Sequence, residues 1–212
     1  MRKLNYSLTP REDILKIIPA DAFGTVLDVG CATGILGAEL KKRKAKVIGI
    51  EIEEELANEA GRRLDLVYKG DAETQDFPIQ NGSVDLVIFA DIIEHVKWPG
   101  GFLQKYLRLL KNGGYVVASI PNVQFYYVLW CLLRGEWAYR ERGIFDKTHL
   151  RFFTLKSILR LLKGCGLTVV KIKRNYRLFE SKCAYEKWAE LLALGIFKNF
   201  FTFQYIILAR KK

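Results

Sequence analysis

Paired cysteines are missing from this sequence. Cys31, Cys131, Cys165 and Cys183 are scattered, with no Cys-x-x-Cys step and no ligands at zinc spacing beside them, which excludes a disulfide scaffold and a zinc ribbon and suits a reducing compartment. Long apolar runs are also absent. The longest, Val123 to Leu133, is broken by Gln124 and is about half of what a bilayer crossing needs. The opening MRKLNYSLTP has two basic residues but no apolar run or small-residue cleavage site after them, so neither export nor a transmembrane helix is expected, and the cytoplasm is the expected location. Histidine is scarce too, with only His95 and His149, which leaves few candidates for a neutral-pH base.

What the chain has is apolar material and positive charge. Half of its 212 residues are hydrophobic and 27% are charged, enough for one packed core and too apolar for a disordered chain. A single domain over residues 1–212 is expected. The net charge of +11 favours anionic partners such as nucleic acid, phosphorylated sugars or a membrane surface. The runs Lys41-Lys42-Arg43-Lys44 and Arg210-Lys211-Lys212 also read as ordinary solvated faces and tails.

From Thr25 onward short β-branched runs alternate with segments of helical periodicity. Strands are expected over Thr25–Val29, Lys46–Ile50, Leu66–Lys69, Val84–Phe89 and Tyr115–Ile120, the pattern of βαβ units in a parallel sheet. Helices are expected over Ile35–Lys44, Glu53–Leu64 and Gly101–Leu110, the last closed by Lys111-Asn112-Gly113-Gly114. Pro10–Ile18 reads as an amphipathic helix with Thr9 and Glu12 as a capping box. Residues 121–153 break the rhythm and read as an inserted cap, before Thr154 caps a helix Leu155–Lys163. Leu167–Lys173, a helix Lys182–Leu194 and Gln204–Ala209 then suggest an antiparallel closing edge. The fold class is a Rossmann-like, doubly wound α/β sheet.

The run Val26-Leu27-Asp28-Val29-Gly30-Cys31-Ala32-Thr33-Gly34 carries a buried strand into a Gly-containing turn and a helix. A dinucleotide fingerprint would need glycine at 30, 32 and 35, and only Gly30 is present, so pyrophosphate recognition has poor support. Instead there is Asp-x-Gly-x-x-x-Gly, then an acid, Glu51, after the second strand, where ribose hydroxyls are gripped in such sheets. Gly70-Asp71-Ala72 puts a further acid after the third strand, able to accept from an exocyclic amine.

With these motifs in register, Val26 to about Asn122 resembles the class I S-adenosylmethionine-dependent methyltransferases. Phe77 to Val87 resembles that family's turn into the fourth strand, and Leu110 to Gly114 its approach to the fifth. The resemblance implies a seven-stranded, mostly parallel sheet with an antiparallel C-terminal hairpin, and S-adenosylmethionine as cofactor. It implies that Asp28 and the loop Gly30, Cys31 to Gly34 hold the methionine part, Glu51 with Ile52 the ribose side, and Asp71 with Ala72 the adenine edge. Ala32 stands where many members carry glycine, and its methyl is tolerable if the residue keeps φ below zero.

Methyl transfer is an in-line displacement that needs an aligned acceptor and, for a hydroxyl, a base. His95, just past the fourth strand, and His149, in the cap, are the candidate catalytic residues. His149 is the proposed base or acceptor contact; packing of His149 beside an Asp146–Arg151 pair is the alternative. Asp91, Glu94, His95 and His149 resemble the metal set of certain methyltransferases for RNA 3′ ends and quinone precursors, but Asp91 is shorter than the usual Glu and no metal is assigned. No Asn/Asp-Pro-Pro-aromatic or Pro-Cys motif follows, so oxygen is the favoured acceptor atom. Phe125, Tyr126, Tyr127, Trp130, Trp137 and Tyr139, interleaved with Arg134, Arg140 and Arg142, form a candidate lid for a ring or phosphate, a lipid contact, or plain packing. The expected acceptor is a small molecule or glycan. RNA and a non-catalytic cofactor-binding module are the rivals.

Overall fold

A computed structural model describes residues 10–22, 24–177 and 197–212. The strands are β1 (Thr25–Val29), β2 (Lys46–Glu51), β3 (Leu66–Lys69), β4 (Val84–Ala90), β5 (Leu110–Pro121), β6 (Leu167–Tyr176) and β7 (Thr202–Lys211). The helices are α1 (Glu12–Leu15), α2 (Ile35–Lys42), α3 (Glu54–Gly61), α4 (Pro99–Leu107), α5 (Tyr126–Leu133), α6 (Leu155–Gly164) and α7 (Lys198–Phe201). They build one seven-stranded sheet in the order β3-β2-β1-β4-β5-β7-β6. Pairings among β1 to β5 are parallel, and β7 runs antiparallel between β5 and β6. The expected α/β sheet with its closing antiparallel hairpin is the observed one.

The order reverses between β1 and β4, so the chain ends at their carboxyl edges splay apart and leave a crevice, where ligands collect in open α/β sheets. Alternation along each strand supplies both faces. Leu27 and Val29 join the core under Phe102, Leu103 and Tyr106 of α4 and Ile158 and Leu162 of α6, whereas Val26 packs with Ile14, Leu36 and Leu40 under α1 and α2. Helix α6 begins as expected at Thr154, whose side chain and that of Ser157 form a reciprocal capping box.

Three expectations are corrected at element ends. Helix α1 is a single turn with Arg11 as its N-cap, so Glu12 does not complete a capping box; it pairs instead with Lys16 at 2.8 Å. Thr9 lies outside the described residues. Helix α4 ends at Leu107 rather than Leu110, because Leu110 is recruited into β5 by pairing with Val84. The Lys111–Gly114 stretch is therefore strand, bent through Gly113 at φ +75°. The expected helix Lys182–Leu194 also falls outside the described residues.

The segment expected as a cap leaves and re-enters the sheet at adjacent points, since Asn122 and Phe153 form a β-bridge. Buried Asn122 ties this neck down by donating to the carbonyls of Asn199 and Thr202. Phe125, Val128, Cys131, Ile144 and Phe145 pack with Phe203 as a small separate cluster. Packing thus claims Phe125, while Trp130, Leu133 and Tyr139 stay exposed.

Candidate functional site

The cofactor end of the crevice is built on three consecutive strand ends. After β1, the turn is held by Gly30 and Cys31 amides donating to the Ile50 carbonyl of β2 at 2.8 and 3.0 Å. Gly30 and Gly34 sit at φ +74° and +76°, a region that a side chain enters only with strain. A Cβ on Gly34 would lie 3.1 Å from the Ala60 Cα of α3. Ala32 departs from expectation, for its φ is +47°. Its amide explains why the strain is tolerated: it donates to Glu51 Oε2 at 2.8 Å, a hydrogen bond to a charged acceptor.

Glu51 is buried, and its other oxygen accepts from the Ile52 and Glu53 amides at 2.9 and 3.0 Å. It thereby staples the turn after β1 to the turn after β2. A carboxylate offers about four acceptor positions, so three backbone donors leave room for one ligand hydroxyl. Asp28 is buried beneath the same turn, and its Oδ1 has no hydrogen-bond partner. Burial, with the nearby Glu51 charge, pushes its carboxyl up to about 7. An orphaned carboxyl oxygen beside a Gly turn fits a ligand ammonium, the group a methionine moiety would bring. Ile52 is exposed and Cys31 is buried.

At the third strand end, Asp71 is less open than expected. Its oxygens accept from the Glu73 amide and the Thr74 hydroxyl, both at 2.8 Å. Partial burial would raise this carboxyl, but the Thr74 and Glu73 hydrogen bonds outweigh it and hold it below the usual value. Ala72 is nearly buried, with its carbonyl held from α4.

Across the crevice lies the second cluster, and here tertiary structure unites residues far apart in sequence. Glu94 and His95 form a single 3₁₀ turn with Ile93 after β4. The Glu94 carbonyl accepts from the Leu150 and Arg151 amides at 2.9 and 3.0 Å, which docks the end of the 121–153 segment on that turn. His95 and His149 consequently meet edge to face, with ring centroids 4.7 Å apart. His149 Nδ1 lies 3.1 Å from the Ile144 carbonyl, and His95 Nδ1 lies 3.2 Å from that of Thr148. A carbonyl only accepts, so both Nδ1 atoms are assigned the proton.

His149 Nε2 stands 4.0 Å from Glu94 Oε1. Glu94 is buried and its Oε2 has no partner. Burial, then the Asp91 charge, raises its carboxyl well above the ordinary value. His149 is shifted down, by burial and then by His95, which favours neutral imidazole. Glu94, His95 and His149 each offer a ligand atom within 4.8 Å of the others. The Asp146–Arg151 pair is not made: Asp146 accepts from Thr148, and Arg151 donates to the Lys97 carbonyl.

Asp91 stands apart from that trio. At φ +56°, its carboxylate is taken by Arg11 of the α1 N-cap, by Gln204 of β7 and by Ser119 at 2.7 Å. Sequence reasoning missed Arg11, Ser119 and Gln204. Nothing in their local pattern signals a role, because they converge only when the last strand pairs with β5.

The comparisons agree with this fold. The model of the methyltransferase-domain family matches residues 3–172. The chain is 27% identical over 157 residues to a ubiquinone biosynthesis O-methyltransferase of Aromatoleum aromaticum, covering 69% of this chain and 65% of that protein. It is 31% identical over 150 residues to one of Acinetobacter baylyi, covering 67% and 62%. The match thus spans less than two thirds of the length of these curated relatives. Among solved structures, a SAM-dependent methyltransferase of Thermotoga maritima superposes with a TM-score of 0.67 at 23% identity, covering 94% of this chain and 87% of that one. One from Archaeoglobus fulgidus gives 0.66 at 20% identity, covering 94% and 92%. Taken with the sheet order and the three strand-end turns, the match over residues 3–172 establishes that the chain belongs to the methyltransferase-domain family and has the class I fold.

Proposed function

We propose that this protein is an S-adenosylmethionine-dependent O-methyltransferase acting on a hydroxyl of a small molecule. The observation that carries the reading is the pairing of His95 with His149, ring centroids 4.7 Å apart, at the strand edge across from the Asp28 and Glu51 turns. The names of the relatives support oxygen as acceptor. When bound, the cofactor supplies an electrophilic methyl group on sulfur. Asp28 receives the methionine ammonium, Glu51 a ribose hydroxyl beside Ile52, and the loop Gly30, Cys31 to Gly34 lets the ligand approach the backbone. Asp71 and Ala72 take the adenine edge.

His149 is the base. Its Nδ1–H is pinned on the Ile144 carbonyl, so its Nε2 lone pair is held in place to accept the hydroxyl proton as the carbon–oxygen bond forms. His95 fixes the other side of the acceptor oxygen. The exposed Trp130, Leu133 and Tyr139 give the cap an apolar face for the rest of the acceptor, an aromatic ring or glycan. Cytoplasmic placement rests on the scattered cysteines.

A second reading adds a divalent metal, and the unpartnered Glu94 Oε2 favours it. Glu94, His95 and His149 would hold the ion as one carboxylate and two imidazoles, and it would acidify a hydroxyl placed on it. Asp91, already bonded to Arg11, Ser119 and Gln204, is outside this set.

The test is transfer of labelled methyl from S-adenosylmethionine to panels of catechols and phenols, glycans, and RNA. Turnover on the first two that is lost in His149→Ala is the expected result. Transfer to RNA alone would replace the acceptor assignment, and cofactor binding without turnover on any panel would favour the non-catalytic module. Full activity in excess chelator would remove the metal reading.

A further inference from the structure

The loop after β3 is gripped from behind by α4 in a way that packing alone does not require. Tyr106, a core residue set edge to face against Phe89 and Phe102, donates its hydroxyl to the Ala72 carbonyl at 2.9 Å. Lys105 Nζ donates to the same carbonyl at 3.2 Å and also to the Gln75 carbonyl. Its ammonium lies 3.6 Å from Asp76 and over the rings of Phe77 and Tyr106, 5.9 and 5.7 Å from their centroids. The Lys105 side chain is mostly buried, although immobilising so long a chain costs rotamer freedom. Glu73 completes the grip, accepting from the Lys97 amide at 2.7 Å and the Trp98 amide at 3.2 Å.

Fixing the Ala72 carbonyl fixes the peptide plane between Ala72 and Glu73. The Glu73 amide in that plane bonds Asp71 Oδ1, and the Asp71 amide is tied to Gln75 Oε1 at 3.0 Å. The Ala72–Glu73 side of this edge is thus held from α4, and its Asp71 side by Thr74 and Gln75 of the same loop. We infer that Lys105, with Tyr106, is a positioning residue that sets the base preference of the cofactor site by aiming Asp71 and the Ala72 amide at an adenine edge. This assignment rests on the cofactor reading above. Its chemistry is specific to an amino-substituted purine: the Asp71 carboxylate accepts from an exocyclic amine, and an oxygen there would meet it acceptor against acceptor.

The experiment is calorimetric titration with S-adenosylhomocysteine and with S-inosylhomocysteine, in which a carbonyl oxygen replaces the amine. Wild type is expected to prefer the adenine compound. K105M should weaken S-adenosylhomocysteine binding about tenfold and flatten the preference between the two bases. K105R should restore the preference, and Y106F, which keeps the ring packing, should lower it in part. A purely structural role predicts a lower melting temperature with the base preference intact. Wild-type binding with an unchanged preference in K105M and Y106F would overturn the assignment alone, whereas wild type binding neither ligand would overturn the cofactor reading and this assignment with it.

Discussion

Replacing Asp28 by asparagine should remove a pH dependence of stability that this one side chain imposes. Asp28 is buried under the turn after β1 with an unpartnered Oδ1, and its carboxyl is raised from 3.8 to about 7. Because the folded value lies above the unfolded one, its contribution to stability is fully present below about pH 4. It is lost progressively as the pH rises through about 7, where the native state must bury the ionised form. At about 1.4 kcal/mol per pH unit, the interval corresponds to roughly 4 kcal/mol. Asparagine keeps the shape and cannot ionise.

Urea denaturation of both proteins from pH 4 to pH 8 tests this, since the other carboxylates cancel in the difference between them. Asp28→Asn should gain on wild type by up to roughly 4 kcal/mol as the pH rises across that window. A ligand ammonium at Oδ1 adds a second signature. S-adenosylhomocysteine binding near pH 6 should release close to one proton from wild type and none from Asp28→Asn, read by calorimetry in buffers of different ionisation enthalpy. Denaturation curves that stay parallel across the window, or equal proton release in both proteins, would refute the reasoning.

Glu51→Ala removes the partner of the Ala32, Ile52 and Glu53 amides, at about 0.5–1.5 kcal/mol for each hydrogen bond lost. Thermal denaturation should show a marked loss and calorimetry a large fall in S-adenosylhomocysteine affinity; unchanged affinity would sink the ribose assignment. Gly34→Ala forces a Cβ at φ +76° to within 3.1 Å of the Ala60 Cα, and a loss of about 1–2 kcal/mol is expected from the left-handed backbone alone, measurable as a lower urea midpoint. Thr154→Ala deletes the reciprocal cap of α6 and should cost about 1 kcal/mol, leaving cofactor binding as in wild type.

The alternation of β-branched and helical segments, and the acids and glycines at three successive strand ends, were legible in the chain itself. Both follow from local rules: period-two and period-3.6 burial mark the elements, and turns that bring backbone near a ligand need glycine. Thr154 announced α6 for the same reason, since a cap acts within one turn. Element ends were less legible where a distant partner intervened, as when β4 drew Leu110 into β5 and shortened α4.

What only the tertiary structure decided is the company each functional residue keeps. Glu51 spends most of its acceptor capacity on three backbone amides, and Asp91 is claimed by Arg11 and Gln204 from the two ends of the chain. His95 finds His149 because the Glu94 carbonyl receives the Leu150 and Arg151 amides. A residue's type and local spacing state which hydrogen bonds and charges it can offer. Which of them are met, and therefore which remain for a ligand, depends on groups brought alongside by strand order, and that order is a property of the whole packed sheet.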